Sequence, residues 1–377
     1  MGITRLYLAL CVVAAHSTPL LPWATHGGTE AVEIFFMISG FYMALIAAKY
    51  ESNREFYASR FLRIYVPYYA VCIGVLSVSA VAGLLTGKWL QLNSYCTWNT
   101  GQNGVLGLAI ATFGNLFIFA SDWTLFLSDE PGQGLQFTTN FHELPNPLSK
   151  YLLIPPAWSV GVELVFYLAV PFLNRLRTRW LLACLGVSLL VRIIAYESYG
   201  LNFDPWTYRF MPFEMALFLL GMLSCRWYQF LSSSKPFSSW VDGLSRLKLW
   251  QFISGALFIF WLAYVTIGML EWLRVASEIA PLVSYLVWFG LLPVLFGSTS
   301  KNVVDRFLGD LSYPIYLTHY FIVGLIGAVS TRVEFANGLR GPIVAALSIG
   351  VSLLMMFFIV EPLEKRRRAW AKQLSGK

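Results

Sequence analysis

A succession of long apolar runs is the feature that most constrains this chain. Each run approaches the roughly 20 residues that an α-helix needs to cross the hydrocarbon core of a bilayer. Only 12% of the 377 residues are charged, about half the share that is usual in soluble domains. The sequence therefore predicts an all-α, polytopic membrane helix bundle of about ten transmembrane helices and excludes a soluble globular domain. The runs fall at about 4–21, 30–48, 65–86, 152–173, 180–198, 210–230, 251–270, 279–297, 309–330 and 342–361.

An eleventh apolar run, at 104–120, decides the predicted orientation. If this run crossed the membrane, the acidic stretch Asp122–Glu143 would be cytoplasmic and the basic cluster Arg175–Arg179 would be outside, which is the reverse of the positive-inside rule. If the run dips in and returns, or lies in the interface, most of the 27 basic residues fall on the cytoplasmic side. Both termini are then cytoplasmic, and a long extracytoplasmic or re-entrant segment joins the third and fourth helices.

The basic residues that this topology leaves outside are few. The net charge of +7 therefore reports orientation, and no nucleic-acid partner is expected. Arg192 lies within a span. The outside residues are Lys88, Lys150, Arg209, Arg274, Arg332 and Arg340.

The predicted organisation is one transmembrane domain, 1–364, followed by a basic cytoplasmic tail, 365–377. The first run follows Arg5 and ends in small residues, which is also typical of a cleaved signal peptide. A second run follows almost at once and favours a first span. The five cysteines and four histidines are dispersed, so neither a disulfide framework nor a metal site is expected.

Ionisable side chains inside apolar spans are costly and mark functional sites. Arg5 and His16 lie eleven residues apart on the first span, so both project from one helix face, about 16 Å apart. Glu33, at the outer end of the second span, is expected to orient His16 across a short hairpin, as a carboxylate supports a general base. The alternatives are a topogenic Arg5, a packing His16 and a hydrated interfacial Glu33.

A pair of arginines, Arg60 and Arg63, precedes Pro67 at the predicted cytoplasmic surface. Arginines three apart on a helix share a face and can bind phosphate oxygens. The same pattern is also typical of topogenic charges.

Two further spans carry polar and aromatic candidates. On the fourth, which opens near Trp158, Glu163 must face a partner or a wet cavity, and Tyr167 lies one turn further on the same face. On the ninth, Tyr316 and His319 share a face. A packing role remains an alternative for His319.

Taken in order, these residues resemble the acyltransferase family 3 of integral membrane proteins, from Arg5 to about Glu361. The resemblance implies a multi-pass enzyme of the bacterial inner membrane that transfers an acyl group, usually acetyl from cytoplasmic acetyl-CoA, to a hydroxyl of an envelope or exported glycan or glycolipid. The motifs that carry it are Arg5 and His16 with ten residues between them, Phe35-Phe36 with Ser39-Gly40-Phe41, Arg60-x-x-Arg63, Trp158-Ser159-x-x-x-Glu163, Ser312-Tyr313-x-x-Tyr316-Leu317-x-His319 and Glu361-Pro362.

On this interpretation, Arg60 and Arg63 bind the phosphates of acetyl-CoA, and the thioester arm passes Arg5. His16 takes the proton from a sugar hydroxyl or carries the acyl group transiently, while Glu33 orients it. No metal takes part. The residues expected to contact substrate are Trp158, Glu163, Tyr167, Tyr316 and His319.

The chain departs from the family pattern in two ways. Leu164 follows Glu163 where the family often has a second acidic residue, so no role that needs adjacent carboxylates is expected. Many members carry a fused hydrolase-like extracytoplasmic domain, whereas this sequence ends fourteen residues after Leu363. A separate extracytoplasmic partner that receives the acyl group is therefore an alternative to direct transfer.

Two other classes of membrane protein compete with this interpretation. A transporter or channel also places polar residues within spans, but no internal repeat pairs two sets of five runs. A structural scaffold bound only to membrane lipids is disfavoured by the number of intramembrane carboxylates and imidazoles.

Overall fold

The computed structural model describes residues 1–18, 27–98, 104–119, 121–245, 280–330 and 339–366, and this part of the chain is mostly helical. The predicted span at 251–270 and most of the predicted tail lie outside the described residues. The helices are α1 (Gly2–His16), α2 (Gly28–Ala47), α3 (Asn53–Thr86), α4 (Asn93–Cys96), α5 (Val105–Phe117), α6 (Trp158–Leu173), α7 (Thr178–Tyr199), α8 (Met211–Ser232), α9 (Lys235–Ser245), α10 (Ala280–Thr299), α11 (Val303–Ser330) and α12 (Arg340–Met355), which continues as a π-helical turn at Met356–Val360.

Within the described ranges, 7 helices are long and apolar enough to cross a membrane. They include α2, α3, α7, α10 and α11, together with α6 and α12 in slightly extended form. The helices α1 and α5 are apolar but shorter, at 15 and 13 residues. The chain is thus a polytopic helical membrane protein. The count of ten spans and the cytoplasmic location of both termini remain predictions.

The all-α prediction is wrong in one place, because the segment between α3 and α6 contains a small β-hairpin. Strands β1 (Leu127–Glu130) and β2 (Gly134–Phe137) pair antiparallel. The turn between them depends on Gly132 and Gly134, whose φ angles of 78° and 74° lie in the left-handed region that favours glycine. Four-residue strands are too short to show a clear alternation of apolar and polar side chains, so the pattern was missed.

Asn115, near the end of α5, anchors this segment to the rest of the chain. Its side-chain amide donates to the Tyr95 hydroxyl at 2.8 Å and to the Tyr151 carbonyl at 2.7 Å, and its carbonyl accepts from the Leu153 backbone at 2.7 Å. These bonds satisfy loop backbone groups that would otherwise be buried without partners. The segment therefore packs as a fixed cap over α6.

Helices α2 and α8 approach each other closely at two glycines. A Cβ atom added to Gly40 would lie 2.0 Å from the carbonyl oxygen of Phe218, and one added to Gly221 would lie 1.9 Å from that of Met37. Small residues at such crossings are typical of membrane helices, where close backbone packing replaces the hydrophobic effect as the driving force. This crossing holds α2 in place at the centre of the bundle.

Helices α1 and α11 run parallel and in register. The Asp305 carboxylate accepts from the backbone N–H groups of Gly2 at 2.7 Å and Ile3 at 2.9 Å. His16 lies fourteen positions after Gly2, and His319 lies fourteen positions after Asp305. At 1.5 Å per residue, the two histidines reach the same level of the bundle.

Asp122 is a buried carboxylate in the cap. Its side chain lies in the 3-10 turn Ser121–Leu125 and is 3% exposed, and one of its oxygens has no hydrogen-bond partner among the described residues. Burial raises the pKa of Asp122 from its ordinary value of 3.8 to about 7, although the backbone N–H groups of Asp122 and Trp123 partly oppose this. The folded cap therefore binds this proton more tightly than the unfolded chain does.

We expect Asp122 to make stability fall with rising pH. Its contribution is fully present below its ordinary pKa of 3.8 and is lost as the pH rises through about 7. The gain in melting temperature from Asp122→Asn over wild type should therefore be larger at pH 8 than at pH 5. The exposed Glu143→Gln is the matched control. An equal gain at both pH values would contradict the assignment.

Candidate active site

Two cavities lie within the bundle and share the residues Val32 and Tyr316. The cavity of about 540 Å³ that contains Arg5, Arg60 and Arg63 is called the inner cavity, because these lining residues are predicted to be cytoplasmic. The other, of about 670 Å³, contains His16 and is called the outer cavity. Among the described residues, only Val32 and Tyr316 line both cavities, and they are called the wall between the two.

The two arginines of the inner cavity differ in their partners. Arg63 Nη2 lies 2.7 Å from the Asp310 carboxylate, so its charge is balanced. Arg60 is only 8% exposed and approaches only the hydroxyls of Tyr50 and Ser59, both at 3.5 Å. Its Nε has no partner, and no carboxylate lies within salt-bridge distance, among the described residues. A buried cation without a counter-ion is costly, which makes Arg60 the natural contact for an anion.

The deep end of the inner cavity contains a network around Glu163. The hydroxyls of Ser39 and Tyr167 both donate to the same Glu163 carboxylate oxygen, and they lie 3.1 Å from each other. Glu163 therefore lines a cavity and has hydrogen-bond partners, as an ionisable side chain in a span requires. Tyr167 lies on the same helix face, one turn along.

The wall between the cavities is fixed by Tyr316. Its hydroxyl lies 2.7 Å from Ser159 Oγ and donates to the Pro156 carbonyl at 3.1 Å. Its ring packs edge-on to Phe35. The hydroxyls of Tyr316 and Ser159 are thus held together at this wall.

His16 and His319 form a pair on the outer side of this wall. His319 is fully buried, and its Nδ1 lies 2.8 Å from the Tyr316 carbonyl, which only an N–H can satisfy. Its Nε2 then carries a lone pair, 3.3 Å from His16 Nδ1, which also lies 3.0 Å from the Val12 carbonyl. This network assigns the proton of neutral His16 to Nδ1. The Nε2 lone pair of His16 is left available as a base.

The predicted contact between Glu33 and His16 is wrong. Glu33 accepts a hydrogen bond from the Tyr285 hydroxyl at 2.5 Å, on the side of α2 that faces α10. Near it, Arg192 and Glu214 form a buried ion pair at 2.5 Å. Closeness across a short hairpin does not determine which helix face a side chain occupies. His319 occupies the position beside His16 that was predicted for Glu33.

Trp158 lines the outer cavity, although Glu163 on the same helix lines the inner one. The Arg209 guanidinium lies over the rings of Trp158 and Tyr208, 4.6 and 4.5 Å from their centroids. It also pairs with Asp204 through two contacts, at 2.7 and 3.2 Å. Arg209 is thereby held as part of the wall of the outer cavity.

Comparison with known proteins identifies the chain. Residues 3–357 match the family model of the acyltransferase 3 domain. The chain belongs to the acyltransferase 3 family. The resemblance predicted from the motifs is confirmed, and the protein is an O-acyltransferase.

Two relatives support the assignment. The acyltransferase is 25% identical over 390 aligned positions to the peptidoglycan O-acetyltransferase OatA of Listeria monocytogenes serovar 1/2a. That match covers 96% of this chain but 55% of OatA, so the chain spans about half of that relative's length. An uncharacterised protein of Aquifex aeolicus is 27% identical over 219 residues, which cover 57% of this chain and 89% of the relative. No solved structure matches.

Sequence reasoning missed several residues of the acyltransferase's cavities. Ser39 and Ser159 were quoted only as parts of motifs, although each bonds a predicted site residue. Lys150 and Arg209 were treated only as charges. Their predicted location outside, against the positive-inside rule, was the signal that could have found them. In the described ranges, no group of three or more His, Cys, Asp or Glu side chains is placed to hold a metal ion.

We expect the two cavities to open on opposite faces of the membrane. The residues Lys49 and His142 are both exposed and line the inner and outer cavity, respectively. In a Cys96→Ser background, a membrane-impermeant thiol reagent should label His142→Cys in right-side-out vesicles and Lys49→Cys in inverted ones. Labelling of both positions from the same side would contradict this arrangement.

Proposed function

We propose that this acyltransferase transfers an acyl group, by default acetyl, from cytoplasmic acetyl-CoA to a hydroxyl of an extracytoplasmic glycan or glycolipid at the bacterial inner membrane. The observation that carries the proposal is the pair of cavities that meet at Tyr316. The inner cavity contains Arg60, a buried cation without a carboxylate partner among the described residues. The outer cavity contains His16, whose Nε2 lone pair is available. The printed name of OatA, a peptidoglycan O-acetyltransferase, supports a carbohydrate acceptor.

The donor enters the inner cavity with its phosphates on Arg60. Charge-assisted contacts between guanidinium and phosphate are among the strongest available to a protein. Arg63 is already balanced by Asp310 and contributes less. The thioester arm extends past Arg5 and Ser39 towards Tyr316, along residues that line the same cavity.

Transfer takes place at the wall. His16 Nε2 accepts the proton of the acceptor hydroxyl, whose oxygen attacks the thioester carbonyl carbon. The C–S bond then breaks, the ester forms, and the thiolate of coenzyme A receives the proton from the imidazolium. The hydroxyls of Tyr316 and Ser159 both donate to the Pro156 carbonyl in this structure, so each must turn from it to donate to the thioester carbonyl oxygen as negative charge develops there. In the alternative covalent route, the same Nε2 lone pair carries the acyl group.

His319 serves as a positioning residue in this mechanism. Its Nε2 accepts from the Nδ1–H of His16, which fixes the tautomer that exposes the Nε2 lone pair. The Tyr316 carbonyl in turn fixes His319. The orientation of His16 therefore depends on the position of Tyr316 in the wall.

The direct test is the fate of labelled acetyl-CoA in membranes that contain the protein. We expect label in an ester of an envelope polysaccharide or glycolipid, and mass spectrometry of these fractions with and without the protein identifies the acyl mass and acceptor together. A transporter would instead move solutes across the membrane without forming a labelled ester. Membranes with His16→Ala protein are the matched control.

For the donor, Arg60→Ala should raise the apparent KM for acetyl-CoA more than Arg63→Ala does. A lost contact to a charged group is worth about 1.5–3 kcal/mol, which corresponds to roughly 10- to 150-fold. Asp310→Asn is the informative control, because it frees Arg63 and should leave donor affinity unchanged or improved. Equal effects of Arg60→Ala and Arg63→Ala would argue against the distinction drawn from their partners.

For the base, His16→Gln should reduce transfer by about a hundredfold to ten-thousandfold while coenzyme A binding persists. His319→Gln keeps a hydrogen-bond acceptor and His319→Leu removes it, so kcat should fall further in the leucine variant while KM for acetyl-CoA stays constant. Detection of an acyl group on His16 in acid-quenched wild-type protein would indicate the covalent route. A wild-type kcat in folded His319→Leu would exclude the positioning role.

A further inference from the structure

The outer cavity has an unusual distribution of charge. Its lining includes the basic side chains of Lys150 and Arg209 together with His16 and His142. None of its described lining residues is Asp or Glu. The inner cavity, by contrast, contains carboxylates beside its arginines, among them Asp310 and Glu163. The Asp204 carboxylate contacts the lining residues His142, at 3.2 Å, and Arg209, at 2.7 Å, which leaves Lys150 as the lining cation that has no acidic partner among the described residues.

Topology does not account for these cations. Basic residues are depleted on the extracytoplasmic side of membrane proteins, and the predicted topology leaves few of them there. Two of those few, Lys150 and Arg209, are far apart in the chain and yet line the same cavity. Their convergence points to a function of the cavity itself.

The Lys150 ammonium is free to meet a ligand. Lys150 is exposed, and its Nζ donates to the Pro145 carbonyl. It makes no ion pair with any carboxylate in the described part of the chain. Its 3-10 turn, Leu148–Tyr151, is fixed by the bond from Asn115 to the Tyr151 carbonyl. Arg209 differs, because Asp204 already balances its charge.

Aromatic rings line the same cavity. Trp158, Tyr208 and Tyr320 all contribute to it. Such side chains present an apolar face together with a polar edge, a combination that suits the mixed C–H and hydroxyl surface of a sugar ring. The cavity therefore combines a surface for a saccharide with an unpaired positive charge.

We infer that the acceptor is an anionic saccharide, one that carries a carboxylate or phosphate close to the acylated sugar, and that Lys150 selects it. This inference rests on the proposed function, since it assigns the outer cavity to the acceptor. Lys150 acts as a specificity-determining residue, and its ammonium pairs with the anionic group while the hydroxyl reaches His16.

The test is equilibrium binding of three trisaccharides to the full-length protein. They are a galacturonate trisaccharide, its methyl ester and a phosphorylated neutral trisaccharide. The acidic sugar should bind about two- to fivefold more tightly than its ester, because an exposed ion pair contributes about 0.5–1 kcal/mol. Lys150→Gln should remove this preference, Lys150→Arg should retain it, and Lys88→Gln, at an exposed lysine outside the cavity, should leave it unchanged. Comparison of the carboxylate and phosphate probes identifies which anion is preferred.

Equal binding of the acid and the ester, or an unaltered preference in Lys150→Gln, would overturn the inference. A parallel assay of acetyl transfer from acetyl-CoA separates this failure from a failure of the proposed function. Transfer that proceeds equally well to the neutral ester and with Lys150→Gln protein overturns the anionic selectivity and leaves the acyltransfer intact. Selective, Lys150-dependent binding of the acidic sugar supports the inference independently of turnover.

Discussion

The parallel pairing of α1 with α11 is the contact on which the site depends. The Asp305 carboxylate binds the first N–H groups of α1 and so fixes both the height and the rotation of that helix. A slip of one residue would rotate α1 by about 100° and turn His16 away from His319. The same helix carries Arg5 into the inner cavity. One interhelical contact therefore sets the positions of Arg5 and His16 together.

Within a bilayer, the pairing of polar groups distinguishes structural residues from candidates for function. Backbone and side-chain polar groups must find partners inside the protein, because the hydrocarbon offers none. Three such pairs are present: Arg192 with Glu214, Glu33 with Tyr285, and Arg63 with Asp310. Arg60 is a buried cation without a carboxylate in the described part of the chain, and His16 keeps a lone pair towards a cavity. These two groups carry the proposed chemistry.

The sequence was sufficient where a single helix sets the geometry. The apolar runs predicted the spans that the structure describes, and helical periodicity placed Glu163 and Tyr167 on one face. It failed where the geometry depends on which helix lies opposite, because periodicity assigns residues to a face and does not identify the neighbour. Glu33 therefore faces Tyr285 instead of His16, and Ser39 was not linked to Glu163. The hairpin was missed because its strands are short.

The separation of the two cavities also reduces the electrostatic repulsion between the two substrates of the proposed reaction. Coenzyme A is polyanionic, and the inferred acceptor is an anion as well, so a shared cavity would set like charges against each other. Two unit charges about 4 Å apart interact by about 4 kcal/mol at an effective dielectric constant of 20. In the proposed mechanism, cations in separate cavities keep the two anions apart, with Arg60 in the inner cavity and Lys150 in the outer one. Only neutral groups, the thioester and the hydroxyl, then need to meet at Tyr316, beside His16 and the hydroxyls of Tyr316 and Ser159.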